Sequence, residues 1–413
     1  MSLPHHDRRA RRWPYLGLLV ALLAAGAAVA ISTSVSGASG AGSAARSDAA
    51  AEGTTLVAVS AGFDDCGAGW TSPHGGLTTF SIANSTNGSE DVYLTDAGSG
   101  AVYGEVEALA IDATRTLPVV LGDGDYRFVC IPAEGDPIPG PDVTIAGAGA
   151  PADATPAIQL VTRADLLPAA KQYAAWITSR LPVLAADARV LDAAVASGDL
   201  GAARDAWLTA HLEYESLGAA YGAFGDADEA IDGTPAPGLS ALDDPALTGF
   251  HKVEALLWSG APAAAIAPVT AQLVSDVDAL GAAFADSRVN ALDVGLRAHE
   301  ILENAIQFEL PGSTDAGSQT NLATIGANIA GTIQALAPLE GILSSRYPAL
   351  ADTKTALDRA AALVASYQHP DGSWTPLASL DRPARAALDA SLDQTVELLA
   401  PVAAICDPRA SAR

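Results

Sequence analysis

The stretch TGFHKVEALLW, residues 248–258, contains a histidine and a glutamate three residues apart within a run of apolar side chains. In an α-helix, this spacing places His251 and Glu254 on the same face. The neighbouring side chains are mostly apolar, so we expect the helix to be largely buried. A buried carboxylate is unfavourable unless it is paired, protonated or bound to a metal. The stretch alone leaves two interpretations open, a metal site or a His–Glu hydrogen bond that serves packing.

Ala- and Leu-rich segments with helical periodicity surround this stretch, and Gly and Pro clusters separate them. Long helices with short connections are typical of a helical bundle. We therefore predict an all-α domain over residues 163–405. Its helices are expected at about 163–197, 199–223, 246–259, 268–285, 288–309, 320–344, 350–367 and 382–405.

Residues 54–147 have a different pattern, in which turn residues separate short β-branched or aromatic runs. We predict strands at about 54–59, 77–82, 91–94, 116–121, 126–130 and 143–145, which form a small β-sandwich. A strand that ends in a cysteine makes this domain similar to a cupredoxin. A blue-copper centre needs two histidines and a cysteine, and the only histidine here is His74. A blue-copper site is therefore excluded. Residues 148–162 are predicted to link the two domains.

The N-terminus predicts export. Four arginines precede a continuous apolar run at residues 13–31, which is typical of a signal peptide or an N-terminal membrane anchor over residues 1–31. Residues 32–53 are rich in Ser, Gly and Ala and predict a flexible linker. We expect a periplasmic or cell-envelope location close to the membrane. The formal charge of −26 over 413 residues argues against nucleic acid as a partner.

Cysteines in an exported chain tend to pair. Cys66 and Cys130 both lie in the β domain, where they could form a disulfide. The alternative is a degenerate second metal site that also uses Asp64 and Asp65. Cys406 is then left as a free thiol or as part of a different pairing.

Three of the seven histidines lie on predicted helices with a carboxylate within about one turn. These segments are HLEYE at 211–215, HKVE at 251–254 and HEILE at 299–303. Helical bundles commonly build metal sites from inward-facing Glu and His side chains. Carboxylate and imidazole ligands suit Fe, Mn or Zn. Since His251 must be neutral to bind a metal, binding should fail in acid.

Four motifs that follow one another in order are more specific together than any one of them alone. They are AHLEYE at 210–215, DADEAID at 226–232, GFHKVE at 249–254 and EILE at 300–303. With a cupredoxin-like domain ahead of it, this set resembles the EfeO-type, imelysin-like family of iron-uptake proteins over about residues 54–405. The resemblance implies an extracytoplasmic component of an EfeUOB-type system. Such a component captures Fe²⁺ or Fe³⁺ and passes it to a membrane iron permease, with a haem peroxidase as a further partner. Zn or Cu are expected to bind in vitro.

The resemblance also implies a ligand set in the helical domain, and His211 is a further candidate. The implied ligands are Glu215, Asp232, His251, Glu254 and Glu303. Family members often carry a carboxylate three residues after Glu215, where this chain has Gly218. The ligand set is therefore thinner here, or His211 contributes to it.

Two other function classes remain open. Imelysin-like proteins have been classed with metallopeptidases, so the alternative is a metal-dependent peptidase or hydrolase, for which Glu300 is the only candidate base. The segment at 299–303 lacks the second histidine of the zinc-protease helix, and we predict no catalytic residues and no enzymatic activity. A module that binds acidic polysaccharide is the third class, and the negative charge of the chain disfavours it.

Overall fold

The computed structural model describes residues 55–408. The predicted signal peptide or anchor and the predicted linker at 32–53 lie outside the described residues. The described strands are β1 (Thr55–Ala61), β2 (Gly76–Asn84), β3 (Glu90–Asp96), β4 (Val102–Leu109), β5 (Thr114–Leu121), β6 (Gly124–Pro132), β7 (Ile138–Pro139) and β8 (Val143–Ile145). The described helices are α1 (Arg163–Ser197), α2 (Leu200–Glu215), α3 (Tyr221–Phe224), α4 (Asp226–Asp232), α5 (Gly249–Ser259), α6 (Ala263–Phe284), α7 (Asp293–Asn304), α8 (Asn321–Leu336), α9 (Glu340–Leu343), α10 (Leu350–Ala365) and α11 (Arg382–Ile405). The predicted order of a β region followed by an all-α region is confirmed.

The β region consists of two sheets. One has the strand order β1-β2-β5, with β1 parallel and β5 antiparallel to β2. The other has the order β4-β3-β6-β7, and β8 also pairs with β6. Aromatic rings fill the core: Trp70, Phe80 and Phe128 pack edge to face with centroids 4.9 to 5.9 Å apart. Strand β4 is absent from the sequence-based prediction, because its glycine and two glutamates weaken the β pattern.

Cys66 and Cys130 form a disulfide that joins the segment after β1 to β6. A disulfide sulfur is not a thiolate, so this pairing leaves no cysteine ligand for the alternative metal site. Cys406 is a buried free thiol in the helical region.

The helical region differs from the prediction mainly between residues 216 and 232. The helix expected at 199–223 ends at Glu215, and a 3₁₀ turn and two short helices follow. Glycines explain the break, since Gly218, Gly222 and Gly225 all fall within it and glycine is a poor helix former. The result is that Asp232 lies at the end of a separate helix, α4, which turns back towards α5.

The rest of the bundle follows its predicted pattern closely. Helix α1 begins with a capping box, in which Thr162 and Asp165 satisfy each other's backbone amides, and ends at Gly198. Helices α6 and Asn321–Leu343 are long and apolar enough to cross a membrane. Both contribute side chains to the bundle core.

Candidate metal centre

Helices α4 and α5 meet backbone to backbone at Gly249. This residue has φ +74°, and a Cβ built on it would lie 2.0 Å from the Ile231 carbonyl oxygen, so only glycine fits. The preceding Thr248 Oγ1 donates a hydrogen bond to the Ala230 carbonyl at 2.8 Å. The end of α4 is thus held against the first turn of α5, which places Asp232 beside His251.

Helix α2 supplies His211, and a tryptophan fixes its ring. Trp207 stacks on the imidazole with centroids 4.8 Å apart and an interplanar angle of 25°. The Trp207 indole Nε1–H donates to the Phe250 carbonyl at 3.0 Å. One side chain therefore orients His211 and ties α2 to α5.

His211, Asp232 and His251 converge in one buried cluster. Nε2 of His211 lies 3.3 Å from Asp232 Oδ1, and Nε2 of His251 lies 3.8 Å from the same oxygen. One ligand atom from each of the three residues lies within 4.8 Å of the others. Among the described residues, no well-directed hydrogen bond satisfies either ring nitrogen of His211 or Oδ1 of Asp232, although His211 Nε2 lies close to two carboxylates. Buried polar atoms are rarely left without partners, so these atoms are available to a ligand.

Two further carboxylates adjoin the cluster, and each is held by an amide. Glu215 Oε1 lies 3.2 Å from His211 Nε2, and its Oε2 accepts a hydrogen bond from Asn328 Nδ2 at 2.7 Å. Glu254 Oε2 lies 3.5 Å from His251 Nδ1, and its Oε1 accepts a hydrogen bond from the Ser318 backbone N–H at 2.9 Å. Each glutamate therefore has one oxygen oriented by an amide and the other directed to a histidine.

Glu309 is a carboxylate that the sequence analysis missed. It lies at the end of a π-helical turn, Ala305–Glu309, that follows α7. It is buried, and its oxygens accept hydrogen bonds from Thr314 Oγ1 at 2.6 Å and Asn321 Nδ2 at 2.8 Å. A π turn shifts the helical register by one residue and often occurs at functional sites. The QTNL segment at 319–322 was the available signal, since it supplies the amide that binds Glu309.

The structure does not bring Glu303 to the cluster. Its side chain is 50% exposed and lies 3.6 Å from His299 Nδ1, as an i, i+4 pair on α7. Of the six candidate ligands from the sequence, the structure groups His211, Glu215, Asp232, His251 and Glu254 and leaves Glu303 outside.

The carboxylates determine the protonation of the two histidines. Burial lowers the pKa of His211, but Asp232 and Glu215 outweigh it and raise that pKa well above its ordinary value. Burial likewise lowers the pKa of His251, and Asp232 and Glu254 raise it to a net upward shift. For Glu254, burial raises the pKa, but His251 and Ser318 bring it below its usual range. Each imidazole of the metal-free cluster is therefore protonated more readily than an ordinary histidine, and a bound cation would compete with that proton.

A cavity of about 170 Å³ opens onto the cluster. Its wall includes Glu215, Asp232, His251 and Glu309, and also Arg297 and Glu300 of α7. Arg297 Nη1 donates a hydrogen bond to Glu300 Oε2 at 2.6 Å. A small hydrated cation can reach the carboxylates and His251 through this cavity.

The donor set fits a transition-metal ion. Two ligands of one ion are at most about 4.2 Å apart when each bond is about 2.1 Å long. The three donors lie within 4.8 Å of one another, so binding requires only a small contraction. Two histidines and one carboxylate form the ligand type of non-haem Fe(II) sites, which leave coordination positions open.

Comparison with known proteins identifies the family of the chain. The family model described as Imelysin, which is also named peptidase M75, matches residues 169–402. That match covers more than half of the chain and includes every residue of the cluster. The chain belongs to the imelysin family.

Two relatives of this imelysin protein carry names that refer to iron. The iron uptake system component EfeM of Pseudomonas syringae is 28% identical over 170 residues, which are 40% of this chain and 59% of the relative. The iron uptake system component EfeO of Escherichia coli is 24% identical over 213 residues, which are 51% of this chain and 57% of the relative. The match thus spans less than two thirds of either relative's length.

A solved structure from Parabacteroides distasonis, described as a precursor of iron-regulated protein A, covers 60% of this chain and 96% of its own. The identity is 16% and the TM-score 0.46.

Proposed function

We propose that this chain is the extracytoplasmic iron-binding component of an EfeUOB-type uptake system. The observation that carries the proposal is the buried His211–Asp232–His251 cluster, whose donor atoms lie within 4.8 Å of one another and in part lack hydrogen-bond partners. The names of the two relatives support iron as the cargo. Glu215 and Glu254 adjoin the cluster and belong to the proposed ligand set, and Glu309 lines the same cavity.

The cellular context follows from the same proposal. Residues 1–31 act as a signal peptide or anchor, residues 32–53 and 148–162 as linkers, and residues 54–147 and 163–405 as the two domains. The protein is exported to the periplasm or cell envelope, passes iron to a membrane permease and works beside a haem peroxidase. An excess of 48 acidic over 22 basic residues supports this role, because a negative surface raises the local concentration of cations.

Iron binding by calorimetry tests the proposal. Asp232→Asn and His251→Ala should each lower the affinity by more than about tenfold, the loss expected when even a supporting residue is changed. His299→Ala is the matched control, because it removes a His–Glu pair of the same type that lies outside the cluster. Equal affinity in the wild type and both cluster variants would refute the proposed site.

The hydrolase alternative depends on Glu300. This residue lines the cavity, but its Oε2 is already engaged by the hydrogen bond from Arg297. We propose binding without hydrolysis. Peptide hydrolysis by the purified protein that a chelator abolishes and that Glu300→Gln removes would favour the enzyme instead.

A further inference from the structure

A cationic side chain lines the same cavity as the carboxylates. Arg297 is 38% exposed in its side chain, and its Nη1 is used by Glu300. Its Nε is buried and has no hydrogen-bond partner in the part of the chain that the structure describes. A buried donor without an acceptor is unfavourable. An arginine in this state, on the wall of the same cavity as Asp232 and His251, has the capacity to bind an anion.

The protein donors do not fill the coordination sphere of an iron ion. His211, His251 and Asp232 provide two imidazoles and one carboxylate, an arrangement that leaves positions open. Glu215 and Glu254 each have one oxygen engaged by an amide. Open positions that face a cavity are available to a ligand from outside the protein.

The cavity has room for such a ligand. Its volume is about 170 Å³, several times the roughly 30 Å³ share of one water molecule. Gly218 lines the cavity without a side chain.

We propose that the site binds iron together with a small dicarboxylate anion. One end of the anion occupies open positions on the ion, and the other end pairs with the guanidinium of Arg297. The planar fork of an arginine matches a carboxylate in geometry and charge. This inference rests on the proposed iron-binding function and specifies the form in which the cargo is held.

Iron binding with and without oxalate tests the pairing. Fe²⁺ is titrated anaerobically into the full chain at matched free Fe²⁺ activity and ionic strength, with oxalate or with acetate. We expect oxalate to lower the iron dissociation constant of the wild type about tenfold, within the usual range of coupling between two ligands. Acetate cannot bridge the ion and the arginine and should have little effect. By reciprocity, Fe²⁺ must raise the affinity for oxalate by the same factor.

Arg297→Gln provides the decisive variant. It should bind Fe²⁺ alone like the wild type and lose the effect of oxalate, whereas Arg189→Gln, at an exposed Arg–Asp pair on α1, should keep it. A wild type that binds Fe²⁺ equally with and without oxalate overturns this inference, as does an unchanged oxalate effect in Arg297→Gln. A wild type that does not bind Fe²⁺ under either condition overturns the proposed function as well, so the two failures are distinct.

Discussion

Two glutamates on one helical segment differ in their surroundings although they have the same chemistry. Glu303 and Glu309 both follow His299 on one continuous helical segment, α7 and its π turn, and both carry a carboxylate. Glu303 points to solvent, whereas Glu309 is buried near Glu215, whose charge, after burial, raises the pKa of Glu309. A cation bound nearby would stabilise the ionised form of Glu309.

We therefore expect Glu309→Gln to weaken iron binding by about tenfold and Glu303→Gln to leave it unchanged. The pair is matched in chemistry and differs in burial. Calorimetric titration of both variants measures the difference. Loss of affinity in Glu303→Gln would support the ligand set that the resemblance implies and would contradict the geometry.

The histidines make the metal-free protein sensitive to pH. Because the folded-state pKa of His211 and of His251 is raised, their protonation contributes stability that is complete below the unfolded value of 6.5 and is lost as pH rises through the folded values. Without metal, the free energy of unfolding of the wild type relative to His211→Gln should therefore decrease from about pH 6 to pH 9. Denaturant unfolding at fixed pH steps measures it.

Bound iron should reverse that trend, because a metal displaces protons from its ligands and binds more weakly in acid. The control is the same denaturant unfolding at fixed pH steps with saturating iron. A difference between wild type and His211→Gln that does not vary with pH in the metal-free protein would show that His211 keeps an ordinary pKa.

At the scale of elements, the site depends on how α4 meets α5. Gly249 and Gly260 flank α5, with φ values of +74° and +78°. A Cβ on Gly249 would collide with the Ile231 carbonyl, whereas a Cβ on Gly260 would meet nothing within 4 Å. The two positions therefore share the left-handed strain and differ in backbone contact.

Gly260→Ala should destabilise the protein by about 1 to 2 kcal/mol, the cost of an L-residue in the left-handed region, and leave iron affinity intact. Gly249→Ala should cost more and should also lower the affinity, because α4 and Asp232 must move away from His251. Thermal unfolding and iron titration of both variants measure these effects. Equal stability of the two variants would contradict the close contact.

The sequence predicted the long helices well and the site in part. Thr162, Gly198 and Asp381 mark ends of α1 and α11, and these bounds are correct because local capping determines them. The π turn before Leu310 has no signal in the sequence pattern, whereas Gly218, Gly222 and Gly225 were a local signal for the break after Glu215 that the predicted helix at 199–223 ignored. Asp232 was identified by resemblance alone, because its approach to His211 depends on that break.

At the scale of the whole molecule, the β region has its own covalent constraint. The disulfide joins cysteines 64 residues apart, and closing a long loop restricts the unfolded chain. It lies in the β region, whereas the proposed iron ligands lie in the helical region.

A Cys66→Ser, Cys130→Ser double variant should therefore lose about 2 to 5 kcal/mol of stability in the β region and bind iron like the wild type. Cys406→Ser is the control, because it changes a buried thiol that forms no disulfide. Calorimetric unfolding and iron titration of the full chain measure both quantities. A large loss of iron affinity in the double variant would indicate that the β region takes part in binding.

The contact of α4 with α5 has one further consequence. An ion held by His211, Asp232 and His251 would cross-link three segments, and the chain between α2 and α5 would become a closed loop. Binding of the ion would then protect this stretch against proteases, and the protease sensitivity of the remaining helices would not change. Conversely, a brief detachment of α4 from α5 would remove Asp232 and let the ion depart without unfolding the bundle. The contact at Gly249 would thus keep Asp232 beside His251 while an ion is bound.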